Sequence, residues 1–486
     1  MNYGLLFRTV SHLKFKQVFY QVRNRLIKPA YSSLEAPGKP EALFRTAPIP
    51  KSKCLENGQF CFLNLVHAFA GWSFADNGML WAYNQNYFDW INQDGFSEDD
   101  GCGWIDRFIC DLPGHKVGLD PYPIALRSIN WIKFFCRYPG LATKPRLDSL
   151  YSQLRLLEKK TEYHLLGNHL LEDAFAMYIG AAYFDDGRLL RKATKLLLQQ
   201  LKEQVLPDGA HYEQSPMYHC ILLDRLLDCI CIRSSQELEG YASRMLGHLE
   251  SIVWDDGSIP LFNDSAYGIA PQASQLFEYS KRLGLSWKAI PLKECGYRKL
   301  KDSGIEVILD VGNITASYQP GHTHADAFSY EIRIDGKPFI VDTGISSYNK
   351  TPRRQAERST TAHNTVSVNG ANSSEVWGGF RVGRRCHIRI IDDSSVIRAV
   401  HNGFAQPCER TFSLENGVLS ICDKYEGEAV SYIHLAEGAD EKRIHFEEGA
   451  DKIETAHWDY STDYNRFHDG RVLAIGFNGN LKYSIR

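Results

Sequence analysis

Between Gly321 and Asn364 the chain reads GHTHADAFSYEIRIDGKPFIVDTGISSYNKTPRRQAERSTTAHN, which gathers His322, His324, Asp342 and His363 into one stretch. Histidine is the side chain that titrates near neutral pH and is also a common metal ligand. Three imidazoles and a carboxylate on neighbouring strand ends make either a metal site or an acid/base site. An extended backbone points alternate side chains to one face, so His322 and His324 would look the same way. For them to serve two sites, the strand has to begin after His324, near Ala325 or Asp326.

Three further stretches carry chemistry. GNHLLEDAF places Asn168 and His169 at the start of an apolar-periodic helix, where Asn is either a helix cap or an amide aimed into a cleft beside the imidazole. DGAHYEQSPMYHC, residues 208–220, packs His211, Tyr212, Glu213, Tyr218 and His219 into a loop that leads into a helix. Loops on rigid scaffolds are where catalytic groups tend to sit, and a phenol passes a proton when a neighbour lowers its pKa or supplies a base. The plain alternative is that Tyr218 only packs the first turn. Arg127, Asn130 and Trp131 fall three to four residues apart and share a helix face. There they either stack on and pair with an acidic sugar or form ordinary core. Asn263 and Asp264 lie in IPLFNDSA.

The elements that must position these residues divide the chain. From about residue 60 to 295 the apolar spacing is helical, with helices over Leu170–Ala182, Leu189–Val205, Tyr218–Ile232 and Gln236–Val253 joined by short breaks, so helical hairpins are expected. After about residue 300 the period becomes two, with Asn-Gly and Asp-Gly turns to the end of the chain, which predicts an antiparallel β-sandwich. The expected domains are a basic, aromatic extension over 1–55, a helical domain over 56–298 and a β domain over 299–486. The extension is expected to pack on the helical domain, with a resting place on a membrane or another protein as the alternative.

A net charge of -3 excludes a global basic field for nucleic acid. Twelve cysteines without a Cys-x-x-Cys pair suit free thiols in a reducing compartment. Arg8, Lys14 and Lys16 interrupt the N-terminal apolar residues, which fails as a signal peptide. The expectation is a cytoplasmic chain without a membrane span, the periplasm being the second choice. Oligomeric state is left open.

Taken together, GNHLLEDAF, DGAHYEQSPMYH, PLFNDSA, GHTHADAFSYEI, VDTG and ERSTTAHNTVSVNG with EVWGGFRVGRR resemble the heparinase II/III family of polysaccharide lyases. The resemblance implies an N-terminal incomplete (α/α) toroid and a C-terminal antiparallel β-sandwich. It implies β-elimination on a uronate-containing acidic polysaccharide or oligosaccharide. Asn168 or His169 would neutralise the uronate carboxylate, Tyr218 would act as acid or as both acid and base, and His322 would be the other base. Substrate binding is expected from Arg127, Asn130, Trp131, Glu213, His219 and Asn263. His324, Asp342 and His363 match the family's metal site, which implies a structural zinc. The entry segment LFRTVSHLKFKQVFYQVRNRL resembles the shorter members found with surface-polysaccharide biosynthesis genes. Two rival readings are a glycoside hydrolase using Glu213 and Asp264 and a non-catalytic glycan-binding component of polysaccharide assembly.

Register supplies a geometric condition. A two-residue Asp335-Gly336 turn pairs Ile334 with Lys337 and puts Asp342 on the face opposite His324. Only a three-residue loop, or a bulge, brings Asp342 round.

Overall fold

The computed structural model describes residues 3–38 and 43–486. Residues 1–2 and 39–42 of the expected extension lie outside the described residues. The architecture is a helical N-terminal part followed by an antiparallel sheet.

Two short helices, α1 (Tyr3–Val10) and α2 (Phe15–Leu26), open the chain. A three-stranded sheet follows, β1 (Leu55–Glu56), β2 (Gln59–Phe62) and β3 (Leu65–Ala68), where the periodicity predicts the onset of helix. The reason is turn chemistry: Asn57-Gly58 and Leu63-Asn64 all have positive φ and close two tight hairpins. Next come α3 (Met79–Tyr87), α4 (Glu98–Asp111), α5 (Pro121–Arg137), α6 (Lys144–Lys160), α7 (Gly167–Tyr183), α8 (Gly187–Gln204), α9 (Pro216–Ile232), α10 (Gln236–Ile252) and α11 (Ala273–Arg282). The four expected helices are α7 to α10, each within a few residues of its predicted bounds.

Helix α7 is the axis of this part and packs on α5, α6, α8 and α9. Every one of its residues is buried except His169, as expected for a helix surrounded by others. A Cβ on Gly180 would sit 2.5 Å from Leu154 of α6, so glycine sets the closeness of that crossing.

The β part begins with β4 (Tyr297–Asp302), β5 (Ile305–Asp310), β6 (Tyr330–Ile334) and β7 (Lys337–Ile340). Strands Val418–Leu435, Cys408–Glu415, Val396–His401 and Ile388–Asp393 continue the sheet beyond β7. Strand His468–Ile485 pairs along most of Val418–Leu435. Strand β6 starts at Tyr330, later than the expected Ala325 or Asp326, because Phe328 is held at φ 69 and breaks the extended run.

The β6–β7 hairpin answers the register condition. Asp335 (φ 52) and Gly336 (φ 75) form the two-residue turn and pair Ile334 with Lys337, yet the register shifts so that Ile332 pairs with Ile340. The bulge carries Asp342 to the side on which it meets His363.

The extension packs on both parts. Gln17 of α2 donates to the Leu165 and Tyr318 carbonyls, and Arg8 of α1 pairs with Glu375 at 2.7 Å. Eleven of the twelve cysteines, all but Cys136, are free thiols.

Candidate active site

The centre is built where the helical part meets the loops of the β part. Ser215 caps α9 by accepting from the Tyr218 N–H, which fixes Tyr218 in the first turn. Its ring stacks on His322 with centroids 3.9 Å apart, and its hydroxyl accepts from the Tyr348 hydroxyl at 3.3 Å. His322 comes from the loop before β6, tied to the other side by Asp264 N–H donating to its carbonyl.

Asp264 is the hub. Fully buried, it faces His322 Nδ1 at 3.0 Å with one carboxylate oxygen and His324 Nε2 at 2.8 Å with the other. Arg354, from the short helix α12 (Pro352–Glu357), clamps both oxygens at 2.5 and 2.7 Å. Burial opposes the charge of Asp264, but the Arg354 guanidinium and the hydrogen bonds from His322 and His324 overcome it and hold the carboxyl well below its usual range. With Nδ1–H donating to Asp264, Nε2 of His322 carries the ring's lone pair, facing the Asn168 amide at 3.3 Å and lying 3.5 Å from the Glu213 carboxylate.

Asn168 is not a cap, since Leu166 takes the cap position. Its amide donates to Glu213 at 2.7 Å and its backbone N–H donates to the other Glu213 oxygen at 2.9 Å. Glu213 therefore sits at the positive end of α7. Gly167 (φ +60) makes room, because a Cβ there would lie 2.4 Å from Glu213 Oε1. Next along, His169 keeps 31% of its side chain exposed and faces Glu162 at 3.0 Å. Burial works against its charge, but the Glu162 carboxylate raises its pKa above the ordinary value. Burial also pushes the Tyr218 phenol up, as do the Asp264 and Glu213 carboxylates, against the lowering effects of Tyr348 and Arg354. The phenol is thus protonated at rest.

A cavity of about 230 Å³ lies further along α9, lined by Asn130, Lys133, Lys51, Asp89, Asp224 and Arg225 among others and by none of the centre's own residues. Ile221 and Arg225 lie on it, one and two turns along α9 on the face that carries Tyr218.

Several expected binding residues belong to the core. Arg127 is fully buried, donating to Gln153 and to the Asn86 and Gly118 carbonyls over the Phe108 ring. Trp131 is equally buried, against Phe88 and Phe108. Both face inward because α5 is surrounded, so neither reaches a sugar; Asn130 alone of the three reaches the cavity. His219 is turned away to the Met245 carbonyl. Asn263 is buried and ties the His324 N–H to the Gln214 carbonyl. The hydrolase reading also loses a carboxylate, because both oxygens of Asp264 are clamped by Arg354 and the two histidines.

The expected metal residues form a separate buried group. His324, Asp342 and His363 are all within 1% of full burial, the two rings lie 5.2 Å apart, and His363 Nδ1 meets Asp342 at 2.8 Å. His324 Nδ1 and His363 Nε2 are buried without a partner. Those orphaned nitrogens and the carboxylate are donor types that zinc takes. The trio differs from the groups whose donor atoms lie within 4.8 Å of one another, which among the described residues are Asp208–His248–Cys295 and His457–Asp459–Asp469.

Comparison with known proteins decides the family. Residues 147–279 match the heparinase II/III N-terminus and residues 285–469 match the heparinase II/III-like C-terminal region. The chain belongs to the heparinase II/III-like family. A heparin-sulfate lyase of Pedobacter heparinus is 27% identical over 262 residues, which are 46% of this chain and 39% of that protein. The chain thus matches well under two thirds of the length of that curated relative. Among solved structures, a heparinase III superposes with a TM-score of 0.61 at 15% identity, covering 85% of this chain and 80% of its own. A mutant of the heparan sulfate lyase HepC from Pedobacter heparinus gives 0.58 at 15% identity, covering 96% and 87%. At that identity the likeness is one of fold.

Proposed function

We propose that this heparinase II/III-like chain is a polysaccharide lyase that cleaves an acidic, uronate-containing glycan by β-elimination. The observation that carries the reading is the Tyr218–His322 stack beside Asn168, with His322 anchored by a carboxylate that cannot itself react. Asn168 and His169 neutralise the uronate carboxylate, which acidifies the proton on carbon 5. His322 Nε2 takes that proton. The electron pair forms the double bond between carbons 4 and 5 as the bond from carbon 4 to the glycosidic oxygen breaks. Tyr218 protonates the leaving oxygen. Asp264 and Arg354 orient the imidazole, and Glu213 holds Asn168 in place.

The expected incomplete (α/α) toroid and β-sandwich belong to the same reading, as does a structural zinc on His324, Asp342 and His363. When bound, zinc would tie the loop before β6 to the segment carrying His363, with no part in proton transfer. Metal analysis of the purified protein tests it. Incubation with heparan sulfate and other uronate polymers, followed by the ultraviolet absorbance of the unsaturated product, tests the lyase. Cleavage without that absorbance overturns elimination.

A further inference from the structure

Helix α2 is amphipathic in the inverted sense, and α1 adds a second apolar stripe turned to solvent. On α2 the polar side chains Gln17 and Asn24 face the protein, Gln17 on the Leu165 and Tyr318 carbonyls and Asn24 on the His164 ring. The apolar side chains face outward: Phe15 is 84% exposed, Phe19 52%, Val22 53% and Leu26 80%. These four recur at steps of four, three and four residues, which is one stripe of a helix. Helix α1 repeats the pattern, with Tyr3, Phe7 and Val10 exposed at steps of four and three. Single exposed apolar residues are ordinary, but two helices each turning a whole stripe to solvent are not.

The charges that the two helices and the residues around them in sequence carry are all of one sign. Glu35 is the first acidic residue of the chain, and before it stand Arg8, Lys14, Lys16, Arg23, Arg25 and Lys28. Arg8 and Lys14 are paired with Glu375 and Glu203. Lys16 lies over the Tyr163 ring. Among the described residues, Arg23, Arg25 and Lys28 have no ion-pair partner. Aromatic and aliphatic side chains along a helix fringed by unpaired cations are what an anionic lipid surface takes. No helix among the described residues is long and apolar enough to cross a membrane, so the contact is one of lying on the surface.

We infer that α1 and α2 dock this protein on an anionic phospholipid bilayer through the Phe15–Phe19–Val22–Leu26 and Tyr3–Phe7–Val10 stripes. A protein partner with an apolar groove or a second copy of this chain would also cover apolar side chains, but neither calls for helices that carry cations and no carboxylate of their own. The anchor is fixed relative to the active site, since α2 rests on Leu165, three residues before Asn168, and on Tyr318, four residues before His322. Docking therefore sets how the catalytic centre stands over the membrane.

Co-sedimentation of the full chain with vesicles tests this. Vesicles of phosphatidylcholine containing phosphatidylglycerol are expected to carry the protein down, less so at high salt, while pure phosphatidylcholine vesicles carry down at least tenfold less. The triple variant Phe15→Ser, Phe19→Ser, Leu26→Ser changes only exposed positions and is expected to keep its melting temperature and lose at least tenfold in binding. Arg23→Glu with Arg25→Glu is expected to remove the preference for the anionic lipid. No binding to either vesicle, or binding that survives the triple variant, overturns the inference. A dimer by light scattering that the triple variant turns into a monomer overturns it too, because the stripes are then an interface between copies.

Discussion

His322 and His324 stand two residues apart and share one carboxylate, yet they occupy opposite environments. His322 Nδ1 faces Asp264, its ring lies against Tyr218, and its other nitrogen faces Asn168 beside a partly exposed phenol. His324 binds Asp264 through Nε2, is 1% exposed, and turns its remaining nitrogen into a buried group with His363. One anion thus orients two imidazoles towards different tasks. The difference lies in what the second nitrogen of each ring meets.

The comparison breaks first at the reacting pair. His322→Ala and Tyr218→Phe are each expected to lower turnover of an acidic glycan by about 10²–10⁴-fold, the usual worth of a positioned acid or base. Their melting temperatures are expected to fall far less than on loss of the buried anion, because Asp264 keeps Arg354 and His324 when His322 is removed and Tyr218 is only half-buried. A loss of less than about tenfold in both would remove them from the chemistry.

Asp264→Asn strikes both histidines at once. It leaves the fully buried Arg354 guanidinium without its anion, and removing one member of a buried pair costs about 3–5 kcal/mol. Denaturant unfolding and the turnover assay should therefore fall together, unlike the first pair of variants. If stability held and only turnover fell, Asp264 would be acting in the reaction itself.

His324→Gln separates the two tasks. An amide can still reach Asp264, so the expected stability cost is about 1–3 kcal/mol for the disturbed buried group, with turnover retained within about tenfold. If zinc is bound, the variant should also lose it in metal analysis. A drop in turnover matching that of His322→Ala would mean that His324 belongs to the catalytic centre.

Much of this division was readable in the residues, for physical reasons that differ from place to place. The long helices α7 to α10 follow from periodicity, and Asn168, Glu213, Tyr218 and His322 stand out because titratable groups crowd otherwise apolar frames. Arg127 and Trp131 misled because helical spacing shows which residues share a face and not whether that face meets a cavity or α3 and α4. The Asp335-Gly336 turn was legible, but the bulge that follows depends on how β7 meets the strand Val418–Leu435. Arg354 and Tyr348 escaped notice since their partners Asp264 and Tyr218 lie far away in sequence. Among Arg353, Arg354 and Arg358 of TPRRQAERS, nothing marks Arg354 as the one that will clamp a buried carboxylate. The small sheet β1–β3 did carry a signal, Asn57-Gly58, that the helical reading passed over.

The mildest test concerns His169, which the structure leaves partly exposed while the rest of α7 is buried. Its pKa is raised: burial lowers it, and Glu162, joined by Glu213 and Glu172, more than compensates. A raised imidazole keeps its charge below its folded pKa and loses it as pH climbs through that value. Its contribution to stability, and its neutralisation of a substrate carboxylate, are therefore complete below the unfolded value of about 6.5 and vanish on the alkaline side. Glu162→Gln removes the largest of the raising charges and leaves burial opposed only by the Glu213 and Glu172 carboxylates, so the folded pKa should fall. The alkaline limb of the rate profile for an acidic glycan should move to lower pH by a similar amount, with little change in rate at the acid end. NMR titration of the His169 ring reads the same shift without any substrate. If the ring shifts but the rate profile does not, His169 is a surface histidine of α7 and carboxylate neutralisation falls to Asn168 alone.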